Sequence, residues 1–457
     1  MIFKMKKLNH LYLGREVDNE LLKWKEDTSR KPLLIRGARQ VGKSTAVRQL
    51  AKTFRYFIEI NFEKNENLSK VFDGDLDPHR ITRDLSAILS IPVIPGETLL
   101  FLDEIQSCES AMKSLRYFYE EYQQLHVAAA GSLLEFALKD ISSFGVGRIR
   151  SIYMYPFSFD EFLKAQGYSG LYKEKKEASE FHPLSEPLHQ KLIEQIRYFH
   201  LVGGMPAAVS KWIETNNFND ILMIHNDLIL TYQDDFSKYY KKINPQLIRN
   251  TLTTVAGHVC AKFRYSWLSQ EFENRQIKLA LEMLTMAGLI IPVTHTSANG
   301  QPLGAEINEK FRKYIFIDTG LLLRLHHFQT EDILLAPPSD FVNKGNLAEM
   351  FVGLELIKYS NPYEKAELFY WQREEKNSQA EVDYVIIRNG IPAPVEVKAG
   401  KRGTLQSLYI FLEKKGLSCG IRCALEPFSG FDKVKVFPLY AVSGITNNKF
   451  TEIQWFK

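Results

Sequence analysis

Apolar and polar positions alternate regularly along the first 160 residues, and this pattern predicts an α/β fold with a largely parallel sheet. Stretches with apolar residues every three or four positions predict helices between the strands. Short apolar runs that end at polar or glycine residues predict strands at residues 32–36, 56–61, 98–103, 126–130 and 151–155. Strands that alternate with helices in this way are typical of layered α/β domains.

The pattern changes after residue 163, so we expect further units in the rest of the chain. A polar, charge-dense segment from Lys164 to Gln190 comes first, and we expect it to be an exposed insertion. Mostly helical spacing follows to about residue 290. Two strand-like runs precede a last part that begins with a helix and continues with strands, the arrangement of a second α/β unit. The boundaries that these changes predict are 1–163, 164–245, 246–338 and 339–457.

Composition narrows the class of protein but leaves its partners open. The 457 residues are 45% hydrophobic and 25% charged, as in an ordinary soluble protein. The 58 basic and 54 acidic residues give a formal net charge of +4, which neither requires nor excludes a nucleic-acid partner. No apolar run approaches the roughly 20 residues of a membrane span. No signal peptide is recognisable, and four cysteines indicate a reducing cytoplasm, so we expect a cytoplasmic protein with no membrane partner.

The strongest chemical signal follows the first predicted strand, where the sequence GARQVGKS fits the pattern G-x-x-x-x-G-K-[ST] throughout. In such a loop the glycines let consecutive N–H groups point at phosphate oxygens, and the next helix adds its N-terminus. We expect Lys43 to reach the β- and γ-phosphates and Ser44 to ligate Mg²⁺. The residues predicted to bind nucleotide are Gly37, Ala38, Arg39, Gln40, Val41, Gly42, Lys43, Ser44 and Thr45.

A second motif, LLFLDE, ends the predicted strand at 98–103. Its apolar residues bury the strand and deliver Asp103 and Glu104 at the carboxyl end, where ligands bind in open α/β sheets. We expect Asp103 to hold Mg²⁺ through water and Glu104 to polarise the attacking water. The carboxylate pair and the strand between the two motifs favour the additional-strand class of nucleoside triphosphatases. No guanine-binding N-K-x-D motif occurs, so ATP with Mg²⁺ is the predicted nucleotide.

Two further polar residues are candidates for the same site. Ser132 follows the strand at 126–130 and is placed to sense the γ-phosphate, but it fits equally well as the N-cap of the next helix. Arg148, in a Gly-Val-Gly-Arg loop, is a candidate transition-state arginine for its own chain or a neighbouring subunit. A solvated loop arginine is the alternative. The predicted catalytic residues are Lys43, Glu104 and Arg148.

Several motifs together resemble a family of prokaryotic AAA-type ATPases. They are GARQVGK with its Arg39, LFLDEIQ, Gly131-Ser132, Gly147-Arg148, PFSFDEF at 156–162, GGMP at 203–206 and YIFIDTG at 314–320. Members of that family carry a C-terminal domain of unknown function, and the resemblance covers nearly the whole chain. It implies an ATP-binding domain over residues 1–163, a helical lid or linker after it, and a winged helix in the unit at 246–338.

The sequence does not decide what this winged helix binds. Its third helix offers Arg275, Gln276 and Lys278 before the sequence turns apolar. A helix that reads DNA normally exposes more basic and amide side chains. We therefore favour a packing or protein-binding role for this helix over sequence-specific reading of DNA.

The last unit carries a second group of charged residues. Asp383 lies in one predicted strand, and Glu396 and Lys398 lie on one face of the next strand, because side chains alternate with a period of two. This D…E-x-K pattern resembles the core of PD-(D/E)XK, or restriction-endonuclease-like, nucleases. Their carboxylates hold Mg²⁺ or Mn²⁺, and the lysine assists water activation. Glu349 and Gln406, on the flanking helices, are additional candidates.

Two functions are consistent with these motifs. In the first, an Mg²⁺-dependent ATPase moves the winged helix and the nuclease-like domain against each other and acts on or near DNA. A second Mg²⁺ or Mn²⁺ would then belong to an active nuclease site. In the second, the chain is a regulatory ATP-binding switch, and its C-terminal domain is an inactive relic that docks a protein or DNA. The expected partners are ATP, DNA, and a protein or a second copy of the chain.

Overall fold

The computed structural model contains two β-sheets joined by a run of helices. The first sheet lies in the N-terminal part of the chain, and the second combines strands from the middle and the C-terminal part. The structure describes residues 12–132, 134–140, 147–236, 243–328, 337, 345–375, 380–398 and 405–446.

Five parallel strands form the N-terminal sheet. They are β1 (Leu33–Arg36), β2 (Tyr56–Asn61), β3 (Thr98–Asp103), β4 (His126–Ala130) and β5 (Arg150–Tyr153). Their order is β2-β3-β4-β1-β5, so β4 is the additional strand between the loop strand β1 and the carboxylate strand β3. β3 and β4 are buried throughout, as central strands of a parallel sheet covered on both faces should be. The predicted parallel α/β fold of the N-terminal domain is confirmed.

The last strand of this sheet, β5, ends two residues before the predicted end. Its partner β1 stops at Arg36, because Gly37 takes φ +139° where the phosphate loop turns away. Beyond β5 the Met154 N–H still donates to the Arg36 carbonyl (2.8 Å). The early end of β1 therefore shortens β5, although the apolar run continues.

Helices cover both faces of the N-terminal sheet because its strands send apolar side chains to both sides. Leu33 and Ile35 belong to one buried cluster and Leu34 belongs to another, as the alternation of a strand requires. The helices are α1 (Glu16–Glu26), α2 (Lys43–Ala51), α3 (Glu66–Ser69), α4 (Pro78–Leu89), α5 (Glu109–Glu121) and α6 (Leu134–Asp140). Because α2 begins at Lys43, its N-terminus faces the phosphate loop.

The middle of the chain is helical. It contains α7 (Phe159–Ala165), α8 (Ser169–Glu177), α9 (Glu186–Val202), α10 (Pro206–Thr215), α11 (Phe218–Asp235), α12 (Pro245–Gly257), α13 (Asn274–Met286) and α14 (Thr319–Leu325). The segment expected to be an exposed polar insertion contains α8, and its Lys175 is buried in an ion pair with Asp160 (2.6 Å). A high density of charges predicts exposure, but a carboxylate from another helix compensates this lysine.

The second sheet crosses the predicted boundary at residue 338. Its strands are β6 (Ile290–Thr296), β7 (Ile307–Phe316), β8 (Leu368–Gln372), β9 (Glu381–Arg388), β10 (Ile391–Val397), β11 (Gly420–Ala424), β12 (Ser429–Phe431) and β13 (Val434–Pro438). The order is β12-β13-β11-β10-β9-β8-β6-β7. The antiparallel hairpin β6–β7, predicted as a wing, pairs through β6 with β8, where Val293 lies opposite Leu368. The hairpin is therefore continuous with the C-terminal strands.

Helices α15 (Gly345–Lys358), α16 (Gln406–Lys415) and α17 (Ser443–Thr446) complete the C-terminal part. One buried hydrophobic cluster runs through both sheets and includes Leu33 of β1, Ile290 of β6 and Val395 of β10. The two sheets therefore share apolar contacts. Among the described residues, no helix combines the length and the apolar character that a membrane crossing needs.

Candidate nucleotide site and C-terminal carboxylate cluster

The phosphate loop connects β1 to α2, and two of its positions require glycine. Gly37 has φ +139°, and a Cβ atom there would collide with the Met154 carbonyl oxygen. Gly42 has φ +98°, in the left-handed region that only glycine adopts without strain. The G-x-x-x-x-G spacing therefore has a backbone cause in this fold: each glycine permits a turn that a side chain would block.

Lys43 lies inside the loop that precedes it. Its Nζ donates hydrogen bonds to the carbonyl oxygens of Gly37 (2.9 Å) and Ala38 (2.7 Å). Burial lowers the pKa of Lys43 to about 8, while the negative charges of Glu104 and Asp103 act in the opposite direction. The ammonium therefore sits where a phosphate group of a nucleotide would meet it, held by neutral acceptors only.

Asp103 is joined to the phosphate loop by a short hydrogen-bond chain. The Ser44 hydroxyl donates to Asp103 Oδ1 (2.8 Å), and the Asn61 amide donates to Asp103 Oδ2 (3.0 Å). Burial raises the pKa of Asp103, and these two hydrogen bonds oppose that shift. Oxygen atoms of a hydroxyl and a carboxylate are ligands that Mg²⁺ prefers, so Ser44 and Asp103 fit the predicted metal. Asn61 was not among the predicted site residues, although it also ends a strand with a polar side chain.

Glu104 has a left-handed backbone (φ 49°), and its hydrogen-bond partners differ from those of Asp103. Its Oε2 accepts hydrogen bonds from Gln106 Nε2 (2.8 Å), from the Ser132 N–H (3.2 Å) and from the Ser132 hydroxyl (3.2 Å). Ser132, at the end of β4, therefore contacts the carboxylate predicted to act on water. Gln106, which stands in the LFLDEIQ motif, was not assigned a role from the sequence.

Arg148 lies near the amino ends of the strands, whereas the phosphate loop lies at their carboxyl ends. It precedes the amino end of β5, whose Arg150 pairs with Leu33 at the start of β1, whereas the loop follows the carboxyl end of β1. A strand of that length separates the two ends by about 10 Å. Arg148 forms an ion pair with Glu120 of α5 and is 40% exposed. In this conformation its guanidinium is held by a residue of α5.

The remaining predicted loop residues differ in what they contact. Arg39 Nη1 forms an ion pair with Asp235 of α11 (2.5 Å), and the Tyr232 hydroxyl donates to the Arg39 carbonyl oxygen (3.0 Å). Gln40 has a positive φ of 65°, and Thr45 is exposed on α2. Helix α11 thus binds the loop from outside the N-terminal domain.

Arg15, near the start of the described residues, forms a hydrogen bond with the backbone of the phosphate loop. Arg15 donates to the Val41 carbonyl oxygen (3.2 Å) and to the Tyr155 carbonyl oxygen (2.8 Å), and it pairs with the buried Glu161 (2.9 Å). Although burial acts to raise it, the Arg15 charge holds the pKa of Glu161 below its ordinary value. The PFSFDEF motif therefore contributes a carboxylate that fixes this arginine.

Two motifs quoted for the family resemblance meet in space. Asp318 accepts hydrogen bonds from the N–H groups of Gly204 (2.6 Å) and Leu321 (3.0 Å), and the Phe157 N–H donates to the Gly204 carbonyl oxygen (2.7 Å). Pro206, at the start of α10, would lie 3.6 Å from a Cβ atom on Gly42. The GGMP segment therefore links the phosphate loop to the YIFIDTG segment.

The C-terminal candidates gather in a second, buried group. Glu349 lies on α15, Asp383 on β9 and Glu396 on β10, and the Val397 N–H donates to Asp383 Oδ2 (2.8 Å). Lys398 pairs with Glu396 (2.8 Å). Burial, followed by the charge of Asp383, raises the pKa of Glu349 to about 8 and that of Glu396 to about 7. Burial also raises the pKa of Asp383.

Gln406 is not part of this buried group. It is exposed at the start of α16, and the neighbouring Ser407 hydroxyl accepts a hydrogen bond from the Glu381 N–H of β9 (3.2 Å). Helical geometry turns Ser407 toward the sheet, while Gln406 is exposed, so a contribution of Gln406 to the carboxylate group stays a prediction.

A lysine that the sequence did not indicate completes the group. Lys313 of β7 is 2% exposed, and its Nζ lies 3.1 Å from Glu349 Oε1 and in contact with Glu381. The Tyr370 ring centroid is 5.0 Å from the same nitrogen. Within the part of the chain that the structure describes, no three His, Cys, Asp or Glu side chains are arranged to hold a metal ion.

Three protein-family models match consecutive parts of the chain. Residues 29–163 match a model described as an AAA domain. Residues 193–332 and 344–441 match two domains of unknown function, DUF8612 and DUF4143. No curated protein matches the chain significantly. Together with the parallel sheet and the loop geometry, the first match identifies the N-terminal domain as a P-loop ATPase domain of the AAA type.

Solved structures with a distant likeness include a Walker-type ATPase of Pyrococcus abyssi (17% identity, 69% of this chain, 96% of that chain, TM-score 0.46). Another is a signal transduction ATPase with numerous domains and a tetratricopeptide repeat sensor from Pyrococcus horikoshii (12%, 77%, TM-score 0.27), of which this chain spans 46%. A third is the ORC1 protein of Aeropyrum pernix in complex with DNA (13% identity, 71% of this chain, 95% of that chain, TM-score 0.29).

Proposed function

We propose that the chain hydrolyses ATP with Mg²⁺ at the phosphate loop and that the bound nucleotide controls the helices and the second sheet. The observation that carries the proposal is the contact between Ser44 and Asp103 (2.8 Å) beside a glutamate held by Ser132. A hydroxyl and a carboxylate for the metal, a lysine for phosphate and a separate carboxylate for water are the groups that phosphoryl transfer requires.

Each residue has a chemical task in this proposal. Lys43 exchanges the Gly37 and Ala38 carbonyl oxygens for phosphate oxygens of ATP. Ser44 and Asp103 would hold Mg²⁺, which neutralises phosphate charge when bound. Glu104 accepts a proton from the attacking water, and Ser132 orients Glu104 until a γ-phosphate competes for its hydroxyl.

The phosphate loop is the element through which nucleotide binding would reach the rest of the chain. Arg39 is bound by Asp235 and Tyr232 of α11, and Gly42 lies against Pro206 of α10. Gly288, at the turn between α13 and β6, would place a Cβ atom 3.1 Å from Ala38. A change in loop conformation must therefore move helices of the middle region and the base of the β6–β7 hairpin.

Arg148 is proposed to act on the site of a neighbouring copy. Its position near the amino ends of the strands supports a role in trans, with Glu120 holding it in the separate chain. The test mixes Lys43→Ala protein with Arg148→Ala protein. The first variant lacks the lysine of the phosphate loop, and the second lacks the arginine that would complete the site of a neighbouring copy. Recovery of ATP hydrolysis in the mixture would support this role. Full ATP hydrolysis by the Arg148→Ala protein alone would contradict a catalytic role of Arg148.

The C-terminal domain is proposed to have a nuclease-like arrangement that no longer cuts. Support comes from the meeting of Asp383, Glu396 and Lys398 across the β9–β10 hairpin, with Glu349 on the preceding helix, as in D…E-x-K sites. The buried Lys313 in contact with Glu349 favours the inactive form. Cleavage of single- or double-stranded DNA by the wild-type protein in Mg²⁺ or Mn²⁺, and not in EDTA, would contradict it.

A switch that docks a partner is the second candidate function, and the surface of α13 favours it. Arg275 and Lys278 are exposed, and the acids Glu271 and Glu273 just before them in the sequence are exposed too. This end of the helix therefore carries no excess positive charge. Comparing ATP turnover with and without DNA separates the two functions. Stimulation by DNA supports action on nucleic acid. Unchanged turnover, with no DNA retention at about 150 mM salt, supports a protein partner or a second copy.

A further inference from the structure

We propose that the Lys313 ammonium takes the place of a divalent cation in the C-terminal carboxylate cluster, so that this cluster binds no metal ion in the wild-type protein. The carboxylate cluster consists of Glu349, Glu381, Asp383 and Glu396. The proposal uses the nuclease-like arrangement proposed above only as the source of the expected metal, and its test does not depend on ATP hydrolysis.

The first argument is the position of the ammonium. Lys313 Nζ lies 3.1 Å from Glu349 Oε1 and also contacts Glu381, so it bridges a helix carboxylate and a strand carboxylate. The side chain is 2% exposed. Although burial acts to lower it, the charges of Glu349, Asp383 and Glu381 hold the pKa of Lys313 above its ordinary value. The charge of Asp383, the first carboxylate of the D…E-x-K pattern, therefore also acts on this ammonium.

The second argument is the balance of charge. The four carboxylates of the cluster are matched by three ammonium groups: Lys313, Lys398 on Glu396 (2.8 Å) and Lys262 on Glu381 (2.6 Å). With all four carboxylates ionised the remaining charge is −1, and a proton on Glu349 or Glu396, whose pKa values burial raises, makes it less negative still. A divalent cation would therefore leave a net positive charge in the cluster. Burying an uncompensated charge is strongly unfavourable. The cluster therefore does not fit the metal that its sequence pattern implies while Lys313 is present.

The third argument is an oxygen that remains unused. Glu396 is 3% exposed, and its Oε2 has no hydrogen-bond partner within the described part of the chain. Lys398 forms its ion pair with the other oxygen of Glu396, Oε1. The cluster thus retains one buried acceptor, and removal of Lys313 would free a second one on Glu349. A divalent ion would then have to draw these two oxygens and Asp383 together, because the described residues contain no group of three such ligands already arranged for a metal.

The origin of Lys313 explains why the motif alone misleads. It comes from β7, while Asp383 and Glu396 come from β9 and β10, with β8 and β6 between β9 and β7 in the sheet. The β6–β7 hairpin thus supplies the Lys313 ammonium to the carboxylate cluster. Without it, the carboxylates of β9 and β10 would be free to bind a metal ion.

The test counts Mn²⁺ bound by the nucleotide-free, full-length protein, with the electron paramagnetic resonance signal of free Mn²⁺ as the readout. Wild-type protein and Asp383→Asn should bind the same number of ions. Lys313→Met should bind one additional Mn²⁺ per chain, because the variant keeps the side-chain length and removes the charge. The double variant Lys313→Met with Asp383→Asn should lose that ion again. Lys310→Met, an exposed lysine on the same strand, is the matched control and should behave as wild type.

Two results would overturn the proposal. One is a wild-type protein that loses a bound Mn²⁺ on Asp383→Asn, because its cluster would then hold a metal beside Lys313. The other is a folded Lys313→Met that gains no ion. Lys313→Gln, which keeps amide donors for Glu349 and Glu381, serves as a second variant if the first does not fold. If neither folds, the comparison of wild type with Asp383→Asn decides alone.

Discussion

The phosphate loop and the C-terminal cluster both combine a buried lysine with carboxylates from strand ends, but the partners of the two lysines differ. Lys43 donates to two carbonyl oxygens. The nearby Asp103 accepts from the neutral donors Ser44 and Asn61, and the Arg48 guanidinium lies farther away, at 3.6 Å. Lys313 is instead paired with carboxylates, Glu349 and Glu381. In the first region neutral groups make the short contacts to the lysine and the carboxylate. In the second the positive and negative groups neutralise each other.

This difference decides which region can bind a charged ligand. A neutral hydrogen bond that holds a carboxylate contributes about 1 kcal/mol, so a metal ion can replace it. An ammonium buried among carboxylates is much harder to displace, because removing one partner of a buried pair costs about 3–5 kcal/mol. Similar residue types therefore support a nucleotide site in one domain and a closed ionic cluster in the other.

The largest effect is expected for Lys43→Ala. Loss of its charge removes the group that bridges the phosphates, so ATP hydrolysis should fall by about 1,000-fold. The fold should survive, because the lysine contacts only loop carbonyl oxygens. Steady-state phosphate release and a thermal melt measure the two outcomes. Lys52→Ala, an exposed lysine after the same helix, is the control. Unchanged turnover in Lys43→Ala would show that the phosphate loop is not the catalytic region.

Glu104→Gln should separate binding from turnover. The amide keeps the size of the side chain but cannot accept a proton from water, so hydrolysis should fall by about 100-fold or more while ATP still binds. Fluorescent nucleotide binding and phosphate release report the two properties. Glu109→Gln, on the exposed start of α5, should leave both unchanged. If binding and turnover disappear together, Glu104 is a structural residue held by Gln106 and Ser132.

A smaller effect concerns the pH dependence of stability in the C-terminal cluster. Burial raises the pKa of Glu349 from an ordinary value of 4.5 to about 8, so the folded state takes up a proton in this window. The free energy of unfolding of the wild type should therefore fall as the pH rises from 4.5 to about 8. Glu349→Gln cannot take up the proton, so its stability relative to wild type should improve by about 1 kcal/mol or more across that window.

Urea unfolding at both ends of this pH range measures the difference. Glu364→Gln, an exposed glutamate in the loop after α15, is the control and should follow the wild-type curve. A variant whose difference from wild type stays constant with pH would show that Glu349 remains ionised beside Lys313.

The smallest effects on catalysis are expected from the cluster itself. Asp383→Asn and Glu396→Gln should change ATP turnover by less than about two-fold, because among the described residues no hydrogen bond or ion pair joins them to the phosphate loop. The same phosphate-release assay measures this, with Lys43→Ala as the inactive reference. A loss of turnover comparable to that of Glu104→Gln would contradict the separation of the two regions, because it would show that they form one functional unit.

Most of the nucleotide site was predictable from the sequence because its chemistry is local. The loop GARQVGKS and the strand that delivers Asp103 and Glu104 are contiguous segments, and each fixes its own backbone path. Ser132 contacts Glu104 for a similar reason, since parallel strands all end on one side of the sheet. The D…E-x-K residues also follow from one hairpin register.

The tertiary structure decided everything that depends on residues far apart in sequence. Asp235 on Arg39, Asp318 on Gly204 and Lys313 on Glu349 join positions more than 30 residues apart, and no local pattern marks them. The parallel pairing of β1 with β5 likewise places Arg148 near the amino end of β1, while the phosphate loop follows its carboxyl end. The physical reason is that a motif specifies which groups a segment can offer, whereas the charge that reaches those groups comes from whatever the fold packs against them. In this protein that difference leaves one carboxylate site open to a nucleotide and closes the other with a lysine.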